Sequence, residues 1–450
     1  MDTAKQQEKG PLIIEGKTKY IYEVQGDPNS ITAKSKSDLT KFDDPALTEH
    51  LDDKDRYATT TTSNIFNVLR QAGIPVAFKK QISDTEFLAA KCQMLMVEAV
   101  VRREKVGGYI ERNPQLLAVS KQGRLRSHNL IFECFLKTDK GVITSFDGEK
   151  LGMMPEDYRK PGKLHDDPLI ENPYSETWKL RHQKTPEWDE RSDLNLSFPR
   201  VRFMPDHVKM EDIEEMTRRV FLLLEKQFGV FCYTLRDLKI EFGIGPNGEL
   251  LVADVIDLDS LRLLDPNGKE VSKEVFRQGG SSEEIFKNYY KVSELSKYFG
   301  LPKQTIVLWR ASKTDPFPKD EDLSKLIPSG IPIEKVTISA HKESAKGLRK
   351  LEELHAKYPQ GAVIIALVGR SNGLGPTIAA HTAWPVISVP LTFKVFPEDV
   401  WSSLRCPSQT PSGTMLTEDL AILGALDILS ISNPVAYAAR QLAIEKLDNY

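Results

Sequence analysis

Three charged residues alternate along the stretch DLKIEFG at positions 237–243. In an extended strand, Asp237, Lys239 and Glu241 point to one side, and the apolar residues between them point to the other. Such a face suits a site for a divalent cation and a phosphate, because Mg²⁺ prefers hard oxygen ligands and keeps places for phosphate oxygens. Lys239 could meet that phosphate. A solvated face with cross-strand salt bridges is the alternative interpretation.

An Asn-Gly pair at positions 247–248 predicts the partner of this strand. A two-residue hairpin turn at Asn-Gly places Glu241 directly opposite Asp254. Like charges opposed across two strands destabilise a sheet unless something neutralises them. Asp257 and Asp259 follow just beyond. The pattern therefore favours a cation–nucleotide site over a merely solvated face.

The stretch EGKTKYIY at positions 15–22 indicates the same chemistry more weakly. Lys17 and Lys19 follow a glycine and alternate at the start of a predicted strand, where they could cover phosphates. The GxxxxGK[ST] spacing of a Walker loop is absent. A solvated strand edge is the alternative.

A second group of candidate residues follows two apolar runs in the last third of the chain. His341 stands in SAHK at 339–342, after a predicted buried strand, and histidine as a residue type is suited to proton transfer near neutrality. The turn VGRSNGLGP at 368–376 is rich in glycine, which lets a backbone come close to a ligand. A structural hydrogen bond is the alternative role for the histidine.

The elements that must position these residues differ between the two parts of the chain. Up to about residue 260, strands and hairpins dominate, with helices predicted at 59–73 and 207–229. From about residue 305, short apolar runs alternate with helical stretches such as 343–358. These runs are TIVLW at 305–309, KVTIS at 335–339, AVIIALV at 362–368 and PVISVP at 385–390. The chain is thus predicted to hold an α+β domain with antiparallel sheets and helices, then an α/β three-layer domain with a doubly wound parallel sheet. Ligands of such parallel sheets bind beyond the carboxyl ends of the strands.

The expected domain organisation follows from this change of pattern. We expect a disordered tail at 1–10, a first domain at 11–300 and a second at 301–450. The segment from about 140 to 205 is long, polar and rich in proline, without clear periodicity. It is predicted to be a solvated insertion in the first domain, and a partner surface built on its mixed charges and two tryptophans is the alternative.

Composition narrows the class of protein. The 450 residues carry a formal net charge of −3, which gives no electrostatic footprint for nucleic acid or an anionic membrane. No apolar stretch approaches the length of a membrane span, and the start MDTAKQQEKG is no signal peptide. The four cysteines lie far apart, which favours free thiols over a structural zinc or disulfides. A cytoplasmic globular protein is expected.

Several motifs in one order resemble a family of purine biosynthesis. EGKTKYIYEV, FLKTD, TLRDLKIEFG and VADVIDLDSLR resemble the synthetase that joins aspartate to a carboxyaminoimidazole ribonucleotide, SAICAR synthetase. TISAHK, GRSNGLGP, TAWPVIS and DVWSSLR resemble the carboxylase that makes its substrate, aminoimidazole ribonucleotide (AIR) carboxylase. The order resembles the animal bifunctional enzyme, and the resemblance covers most of the chain apart from about 140–205.

The resemblance implies roles in the synthetase half. Lys17 and Lys19 would touch ATP phosphates, and the stretch from Met94 to Glu98 would form the adenine hinge. Asp237 and Lys239 would line the reaction centre, where ATP activates a carboxylate as an acyl phosphate. Magnesium bound with ATP would be held by Glu241 and Asp254. The ribonucleotide would be bound by Arg102, Ser260, Arg262, Lys273 and Arg277.

The resemblance also implies roles in the carboxylase half. His341 would transfer the proton, and Ser339 and Lys342 would lie near the phosphate. The turn with Ser371, Asn372 and Gly373 would form one wall of the ribonucleotide site. This half would use carbon dioxide directly and no cofactor. The family also implies a homo-octamer built around the carboxylase domains.

The sequence departs from the family at several ligand-facing turns. A loop that reads like TAGN in the family is TKFD at 40–43, its Ser-Asn-Lys at the next helix start is a threonine run at 59–62, and its Gly-Ser is Gly107–Gly108. In the carboxylase half, a Gly-Ser-x-Ser-Asp turn is replaced by WRASKTDP at 309–316, and a segment like PSGLGCST reads PSQTPSGTM at 407–415.

These departures lead to three hypotheses. We expect a divergent homologue that keeps the fold, and possibly nucleotide binding, with one or both activities weakened or lost. The first alternative is an active bifunctional enzyme that carboxylates aminoimidazole ribonucleotide and then ligates aspartate with ATP and magnesium. The second alternative is an ATP-dependent ligase that acts on a different acid.

Overall fold

The computed structural model describes residues 9–40, 48–158, 162–277 and 279–447, and the chain forms two compact units, 1–299 and 300–450. Most of the expected tail at 1–10 lies outside the described residues, as does the TKFD loop beyond Thr40. Within the described residues, no helix is both long enough and apolar enough to cross a membrane.

The first unit contains a five-stranded antiparallel sheet near its amino terminus. In spatial order, its strands are β1 (Lys9–Glu15), β2 (Lys19–Val24), β3 (Ser30–Ser35), β7 (Glu86–Ala90) and β6 (Phe78–Gln81). A separate pair is formed by β4 (Asp38–Thr40) and β5 (Thr48–His50). The strand that carries Lys19 is therefore held on both sides, and a solvated edge is the wrong description of it.

A nine-stranded antiparallel sheet forms the larger part of the first unit. Its continuous path is β14 (Asp193–Pro199), β13 (Thr177–Arg181), β12 (Leu169–Ile170), β9 (Arg126–Leu136), β8 (Gln93–Glu104), β15 (Thr234–Ile244), β17 (Leu261–Leu264) and β18 (Glu270–Val271). The ninth strand, β16 (Leu250–Ala253), pairs with the second half of β15. Strand β15 thus lies in the middle of the sheet, between β8 on one side and β16 and β17 on the other.

The helices of the first unit pack against these sheets. They are α1 (Lys54–Gln71), α2 (Gly108–Arg112), α3 (Leu117–Ser120), α4 (Met210–Gly229), α5 (Glu274–Arg277) and α6 (Ser282–Ser296). In α4, Val220 and Leu224 are fully buried on the stripe that the 3.6-residue period predicts, and the helix packs on β15 and β8.

Helix α1 begins earlier than the predicted threonine cap. It starts at Lys54, so the threonine run at 59–62 lies inside the helix. Two of these threonines find buried partners: the Thr59 hydroxyl is 2.7 Å from the Ser35 hydroxyl, and the Thr62 hydroxyl donates to the Ile256 carbonyl at 3.3 Å. Tertiary hydrogen bonds therefore override the usual preference of threonine for a helix end.

The predicted insertion is folded, and much of it extends the large sheet. Strands β12 to β14 pair in sequence and join the sheet through β9, while β10 (Val142–Thr144) and β11 (Lys150–Met153) form a separate hairpin. Trp178 in β13 is fully buried, whereas Trp188 is exposed. The prediction of a solvated insertion is therefore wrong for most of this segment, because short strands of this kind carry little periodicity.

The second unit contains a five-stranded parallel sheet in the order β20, β19, β21, β22, β23. The strands are β19 (Thr305–Arg310), β20 (Ile333–Thr337), β21 (Ala362–Val368), β22 (Val386–Pro390) and β23 (Gly413–Thr414). Its helices are α7 (Asp320–Leu326), α8 (Ser344–Lys357), α9 (Leu374–Ala379), α10 (Val400–Leu404), α11 (Glu418–Leu429) and α12 (Pro434–Leu447). The predicted α/β fold with buried parallel strands is confirmed, since β21 is buried along its whole length.

Candidate active sites

The charged face of β15 carries a buried carboxylate between two arginines. Asp237 is in register with Arg102 on β8 and with Arg262 on β17. Arg102 Nη1 donates to Asp237 Oδ2 at 2.5 Å, and Arg262 Nη1 donates to the same oxygen. The side chains of Asp237 and Arg102 are almost completely buried. One carboxylate therefore orients two guanidinium groups on three neighbouring strands.

Arg102 is held by a second acid as well. Its Nε donates to Glu133 Oε2 at 2.6 Å, and Glu133 also accepts from Arg112. Burial lowers the pKa of Arg102 to about 10, although the neighbouring Asp237 raises it. The guanidinium thus remains a cation at neutral pH.

Gly107 lies against Arg262. Its φ is +59°, and a Cβ atom there would lie 2.9 Å from Arg262 Nη2. A side chain at this position would therefore strain the backbone and displace the guanidinium. The Gly107–Gly108 pair, which departs from the family pattern, keeps the glycine that this close approach requires.

Next along the β15 face, acids and lysines alternate. Lys239 Nζ donates to Glu98 Oε1 at 2.6 Å, and Glu241 pairs with Lys137 at the end of β9. Burial by itself would raise the pKa of Glu241, but Lys137 and Lys239 outweigh it, so the pKa lies below its usual value. Burial likewise opposes the charge of Lys239, but Glu98 and Glu241 outweigh it, and its pKa lies above the usual value. Both groups are therefore charged at neutral pH.

The predicted hairpin register is wrong by one residue. Glu241 lies opposite Ala253, not opposite Asp254. The loop is one residue longer than predicted: Gly245 N donates to the Glu249 carbonyl, and Gly248 adopts a φ of +82°. Asp254 follows the end of β16 with a φ of +61°.

Lys19 nevertheless interacts with both of these carboxylates, those of Glu241 and Asp254. Its ammonium group pairs with Asp254, and it lies in the field of Glu241 and Asp257. Burial lowers the pKa of Lys19 to about 8, since the nearby acids compensate only in part. Lys19 is therefore mostly charged at neutral pH, paired with Asp254 and in the field of Glu241.

The residues present fit a magnesium ion bound with nucleotide. Glu241 is 5% exposed and stays ionised, and Asp254 supplies a second carboxylate at the end of the neighbouring strand. Carboxylates are the hard oxygen donors that Mg²⁺ prefers. Lys19 pairs with Asp254 and Lys137 pairs with Glu241, so the lysines balance the charges of both carboxylates. A magnesium ion together with ATP phosphates would fit the same arrangement of acids and lysines.

A second buried acidic group lies beyond β16 and was only partly predicted. Asp259 lies 3.6 Å from Lys54 and 3.3 Å from Lys273, and it accepts from the Tyr289 hydroxyl at 2.7 Å. Burial would raise the pKa of Asp259, but the two lysines outweigh it and hold the pKa below its usual value. Burial and Asp259 together raise the pKa of Asp257 to about 6. Nothing in the sequence indicated Lys54, because a lysine at the start of a helix is usually exposed.

Three predicted ribonucleotide residues have different surroundings. Lys273 is engaged with Asp259, and the Ser260 hydroxyl donates to the Val255 carbonyl at 3.0 Å. The side chain of Arg277 lies outside the described part of the chain. Of the five predicted residues, Arg102 and Arg262 are the pair brought together around one carboxylate.

Asp167 is a further acid that the sequence did not indicate. It accepts from the backbone N and the hydroxyl of Thr138, at 2.8 and 2.7 Å. Burial and the neighbouring Glu98 raise its pKa to about 6, against the field of Lys239. The segment that was predicted as a solvated insertion therefore delivers a carboxylate to the charged face.

The predicted hinge lies in the first half of β8. Met94 lies opposite Gly243, and Glu98 lies opposite Glu241. The Met96 carbonyl accepts from Lys137 N at 3.0 Å, which connects this stretch to the lysine that pairs with Glu241. Lys17, unlike Lys19, has an exposed side chain in the turn before β2.

In the second unit, three turns meet at the carboxyl edge of the parallel sheet. The turn after β20 carries His341, and the turn after β21 carries Gly373. A Cβ atom at Gly373 would lie 1.9 Å from His341 Nε2, so the imidazole rests directly on the glycine backbone. Similarly, a Cβ atom at Gly369 would lie 2.9 Å from Asp315 Oδ1, from the turn after β19. The glycines of VGRSNGLGP thus make room for an imidazole and a carboxylate.

Asn372 holds this turn in shape. Its Nδ2 donates to the Ser388 and Ser403 hydroxyls at 2.8 and 3.1 Å, and its Oδ1 accepts from Gly375 N at 2.9 Å. Ser371 precedes it with a φ of +62°. The predicted binding residue Asn372 is therefore buried and engaged within the turn.

The other predicted residues of this half lie in the turn before α8. The Ser339 hydroxyl accepts from Lys342 N at 3.3 Å, and the side chains of His341 and Lys342 are exposed. This turn leads directly into α8, whose amino terminus favours an anion.

Arg310, which stands where the family has glycine, is folded into its own turn. Its Nε donates to the Thr337 hydroxyl at 2.8 Å, and its Nη1 donates to the Asp315 carbonyl at 2.7 Å. Its guanidinium carbon also lies 4.1 Å from the centre of the Phe317 ring. The arginine therefore braces the turn that presents Asp315 to Gly369.

Two family models match the chain in succession. The SAICAR synthetase model matches residues 12–153 and 183–293, and the AIR carboxylase model matches residues 306–447. The residues between the two matched parts of the synthetase model, 154–182, lie within the predicted insertion.

Curated relatives match over nearly the whole chain. A probable multifunctional protein of Caenorhabditis elegans is 32% identical over 452 residues, with 97% of this chain and 94% of the relative covered. The human bifunctional phosphoribosylaminoimidazole carboxylase/phosphoribosylaminoimidazole succinocarboxamide synthetase is 30% identical over 461 residues, with 99% and 96% covered. Among solved structures, a phosphoribosylaminoimidazole-succinocarboxamide synthase from Ehrlichia chaffeensis is 18% identical, covers 64% of this chain and 99% of its own, and has a TM-score of 0.46.

Proposed function

The chain belongs to the family that joins a SAICAR synthetase domain to an AIR carboxylase domain, and we propose on that basis that it catalyses both reactions. It would carboxylate aminoimidazole ribonucleotide and then ligate aspartate to the product with ATP. The comparisons support this alternative better than the divergent homologue that the altered turns led us to expect. The structural observation that carries the proposal is the ordered charged face of β15, with Asp237 between two arginines.

In the synthetase half, this face would hold two anionic substrates next to each other. Arg102 and Arg262, oriented by Asp237, would bind the ribonucleotide, while Lys19 and Lys239 would meet the ATP phosphates. Magnesium, bound with ATP at Glu241 and Asp254, would supply charge neutralisation for the phosphates. Glu98 would fix the position of Lys239 through their ion pair.

The ligation itself needs positioning and charge stabilisation more than covalent catalysis. The substrate carboxylate would attack the terminal phosphate of ATP, which releases ADP and leaves an acyl phosphate. The aspartate amine would then displace phosphate, forming an amide and releasing one proton. Fixed cations around the phosphates would lower the barrier, because they stabilise the charge that develops in the transition state.

In the carboxylase half, His341 would transfer the proton. Carbon dioxide would bond to a ring carbon of the aminoimidazole, and the hydrogen on that carbon would leave as a proton to the imidazole. The backbone of Gly373 would keep His341 in place, and the anionic phosphate would face the turn of Ser339 and Lys342. No cofactor is proposed for this half.

The test is turnover by the purified full-length protein in two separate assays. One supplies aminoimidazole ribonucleotide with bicarbonate, and the other supplies the carboxylated product with aspartate, ATP and magnesium. We expect product in both, with ADP formed in equal amount to the amide in the second. Absence of turnover in either assay would overturn the proposal that the chain catalyses both reactions.

A second candidate is a protein that retains the synthetase activity alone. The turn WRASKTDP at 309–316 favours it, because Arg310 occupies a place where a small residue would leave backbone N–H groups open to an anion. Ligation without carboxylation in the two assays would support this candidate.

The homo-octamer that the family implies is also proposed for this chain. Eight chains of 50.8 kDa would give a particle of roughly 400 kDa with closed symmetry. Light scattering on the protein as it leaves a sizing column would measure this mass, and a monomer or dimer would contradict the proposal.

A further inference from the structure

We propose a second, unrelated metal site in the first unit: a zinc-type divalent cation bound by Asp157, His165 and His182. One ligand atom from each of these side chains lies within 4.8 Å of the other two. The carboxylate and the imidazole nitrogen are close already, since Asp157 Oδ2 lies 3.8 Å from His182 Nε2. Tetrahedral zinc, with bonds of about 2.0–2.1 Å to such ligands, needs them about 3.3–3.5 Å apart. A movement of about an ångström would close the site.

The three ligands are buried together, as a built site requires. Asp157 is 6% exposed, His165 is 7% exposed and His182 is 2% exposed. Within the part of the chain that the structure describes, His165 Nδ1 is a buried nitrogen that no hydrogen bond satisfies. Such an atom is uncommon, because a buried polar atom normally has a partner. A metal ion bound by the three ligands would be the partner of His165 Nδ1.

The donor set also fits zinc. Imidazole nitrogens and carboxylate oxygens are donors that zinc takes in proteins, and a histidine binds a metal in its neutral form. Two neutral imidazoles and one carboxylate leave a single positive charge on bound zinc, and water would complete the coordination.

A second layer of contacts orients His182. Lys184 N donates to its Nδ1 at 3.2 Å, and the Thr185 hydroxyl lies 2.7 Å from the same nitrogen. These contacts hold the ring from its Nδ1 side, and Nε2 lies on the side of Asp157. The Thr185 hydroxyl is in turn 2.8 Å from the Tyr158 hydroxyl. Such outer contacts fix the ring orientation of metal-binding histidines.

The position of these ligands in the sequence explains why neither a metal-binding motif nor the family resemblance indicated the site. All three ligands lie within 154–182, the stretch between the two parts of the chain that match the synthetase model. Asp157 follows β11, His165 precedes β12 and His182 follows β13. The spacings are unlike the CxxC or HxxxH patterns that mark metal sites in a sequence. One ion would fasten three separate pieces of this segment to the edge of the large sheet.

One ligand of the proposed zinc site, His165, is close in sequence to an acid of the charged face of β15. Two residues after His165, Asp167 reaches the β15 face through Thr138 and the field of Lys239. Gln183, which follows His182, donates to the Asp167 carbonyl at 3.2 Å. Zinc would therefore fix the loop that carries Asp167 and so position this carboxylate. The zinc ion itself would not contact substrate.

The test is zinc binding by the untagged full-length protein after its metal has been stripped with a chelator. Titration against a coloured competing chelator should show one zinc per chain with a dissociation constant below micromolar. Cobalt in place of zinc should give the strong visible absorption of a four-coordinate ion. Failure of the wild-type protein to bind zinc at micromolar concentration would overturn the proposal without recourse to any variant.

Three variants locate the ion. His165→Gln should lower zinc affinity by at least roughly 100-fold, and Thr185→Val, which leaves all ligands in place, by roughly 10–100-fold. His207→Gln, at an exposed histidine of the same unit, is the matched control and should bind as the wild type does. Unchanged zinc binding and cobalt spectrum in His165→Gln would assign the ion to other ligands and refute the site.

Discussion

At the residue scale, Asp237 is expected to serve both the stability of the sheet and the proposed function. It is the shared acceptor of Arg102 and Arg262, and all three side chains come from adjacent strands. A buried charge whose partner is removed is costly, since the low dielectric around it cannot replace the lost interaction. The same carboxylate thus stabilises the middle of the sheet and orients the guanidinium groups of Arg102 and Arg262.

Replacement of Asp237 by asparagine tests this double role. We expect Asp237→Asn to lower the free energy of local opening of β15 and β8 by about 3 kcal/mol, because two arginines lose their shared charge. Hydrogen exchange of the amides in these strands, measured by mass spectrometry, reports that free energy directly. Asp206→Asn, at an exposed aspartate of the same unit, should leave exchange unchanged. Equal exchange in both variants would contradict the role of the triad.

Lys19 leads to a prediction about pH. Its pKa of about 8 in the free protein means that its charge is lost as the pH rises through 8. A bound phosphate favours the charged form, so binding at higher pH must take up a proton. We therefore expect ATP affinity to be level near pH 7 and to fall above pH 8, approaching tenfold per pH unit.

Calorimetric titration with ATP and magnesium across this range would measure the effect. Lys19→Arg is the informative variant, because arginine keeps its charge throughout. Its affinity should not fall between about pH 7 and 9. If wild type and Lys19→Arg lose affinity in parallel, another group is titrating and Lys19 does not contact the phosphates.

At the element scale, the sequence predicted strands better than it predicted their pairing. The alternation in DLKIEFG identifies the two faces of β15, and the apolar runs identify β19 to β22 within a residue or two. The register of β15 with β16 was missed, because Asn-Gly can end a two-residue or a three-residue loop and local sequence does not distinguish them. The strands β10 to β14 were missed since they are short and depend on neighbours that are distant in sequence.

The same limit applies to the candidate sites. Residues on regular strands, such as Lys239 and Glu241, could be found from alternation. Lys54, Asp167 and the ligands of the proposed zinc site come from loops or helix ends, and their proximity depends on tertiary folding. No pattern of spacing encodes such proximity in a single sequence.

The turn between β21 and α9 provides a prediction at this scale. Gly373 has an ordinary negative φ of −91°, so alanine there meets no backbone strain. Its Cβ would nevertheless lie 1.9 Å from His341 Nε2, and the imidazole must move. We expect Gly373→Ala to slow carboxylation by about 100-fold, since a displacement of about 1 Å costs roughly that factor.

The matched control for this prediction is Gly300→Ala. A Cβ atom at Gly300 meets nothing within 4 Å. Carboxylation by this control should equal that of the wild type, and ligation should be normal in both variants. Normal carboxylation by Gly373→Ala would mean that the position of His341 on this glycine has no part in the reaction.

At the scale of the whole molecule, the two candidate sites lie in two compact units. The charged face of β15 belongs to the unit 1–299, and the edge with His341 belongs to the unit 300–450. The acids, cations and turns described for each candidate site come from its own unit. The proposed reactions are sequential, since the carboxylate made by one is the group activated in the other.

This arrangement predicts that the two activities can be removed independently in the full-length chain. Lys239→Met should abolish ligation because the ammonium proposed to bind the ATP phosphates is lost, while carboxylation continues at the wild-type rate. His341→Asn should do the reverse, with carboxylation reduced by roughly 10²–10⁴-fold. Lys80→Met, at an exposed lysine of β6, is the matched control for the lysine variant.

A mixture of the two variants provides the sharper measurement. With aminoimidazole ribonucleotide, bicarbonate, aspartate, ATP and magnesium all present, neither variant alone should form the final amide. Together they should form it after a lag, because the carboxylated product of one protein must accumulate in solution before the other can use it. The lag should shorten in proportion as the concentration of the Lys239→Met protein, which makes the intermediate, is raised. A mixture that forms no amide, while each partial reaction runs normally in its own assay, would show that the intermediate never reaches solution and that the two centres do not act as independent catalysts.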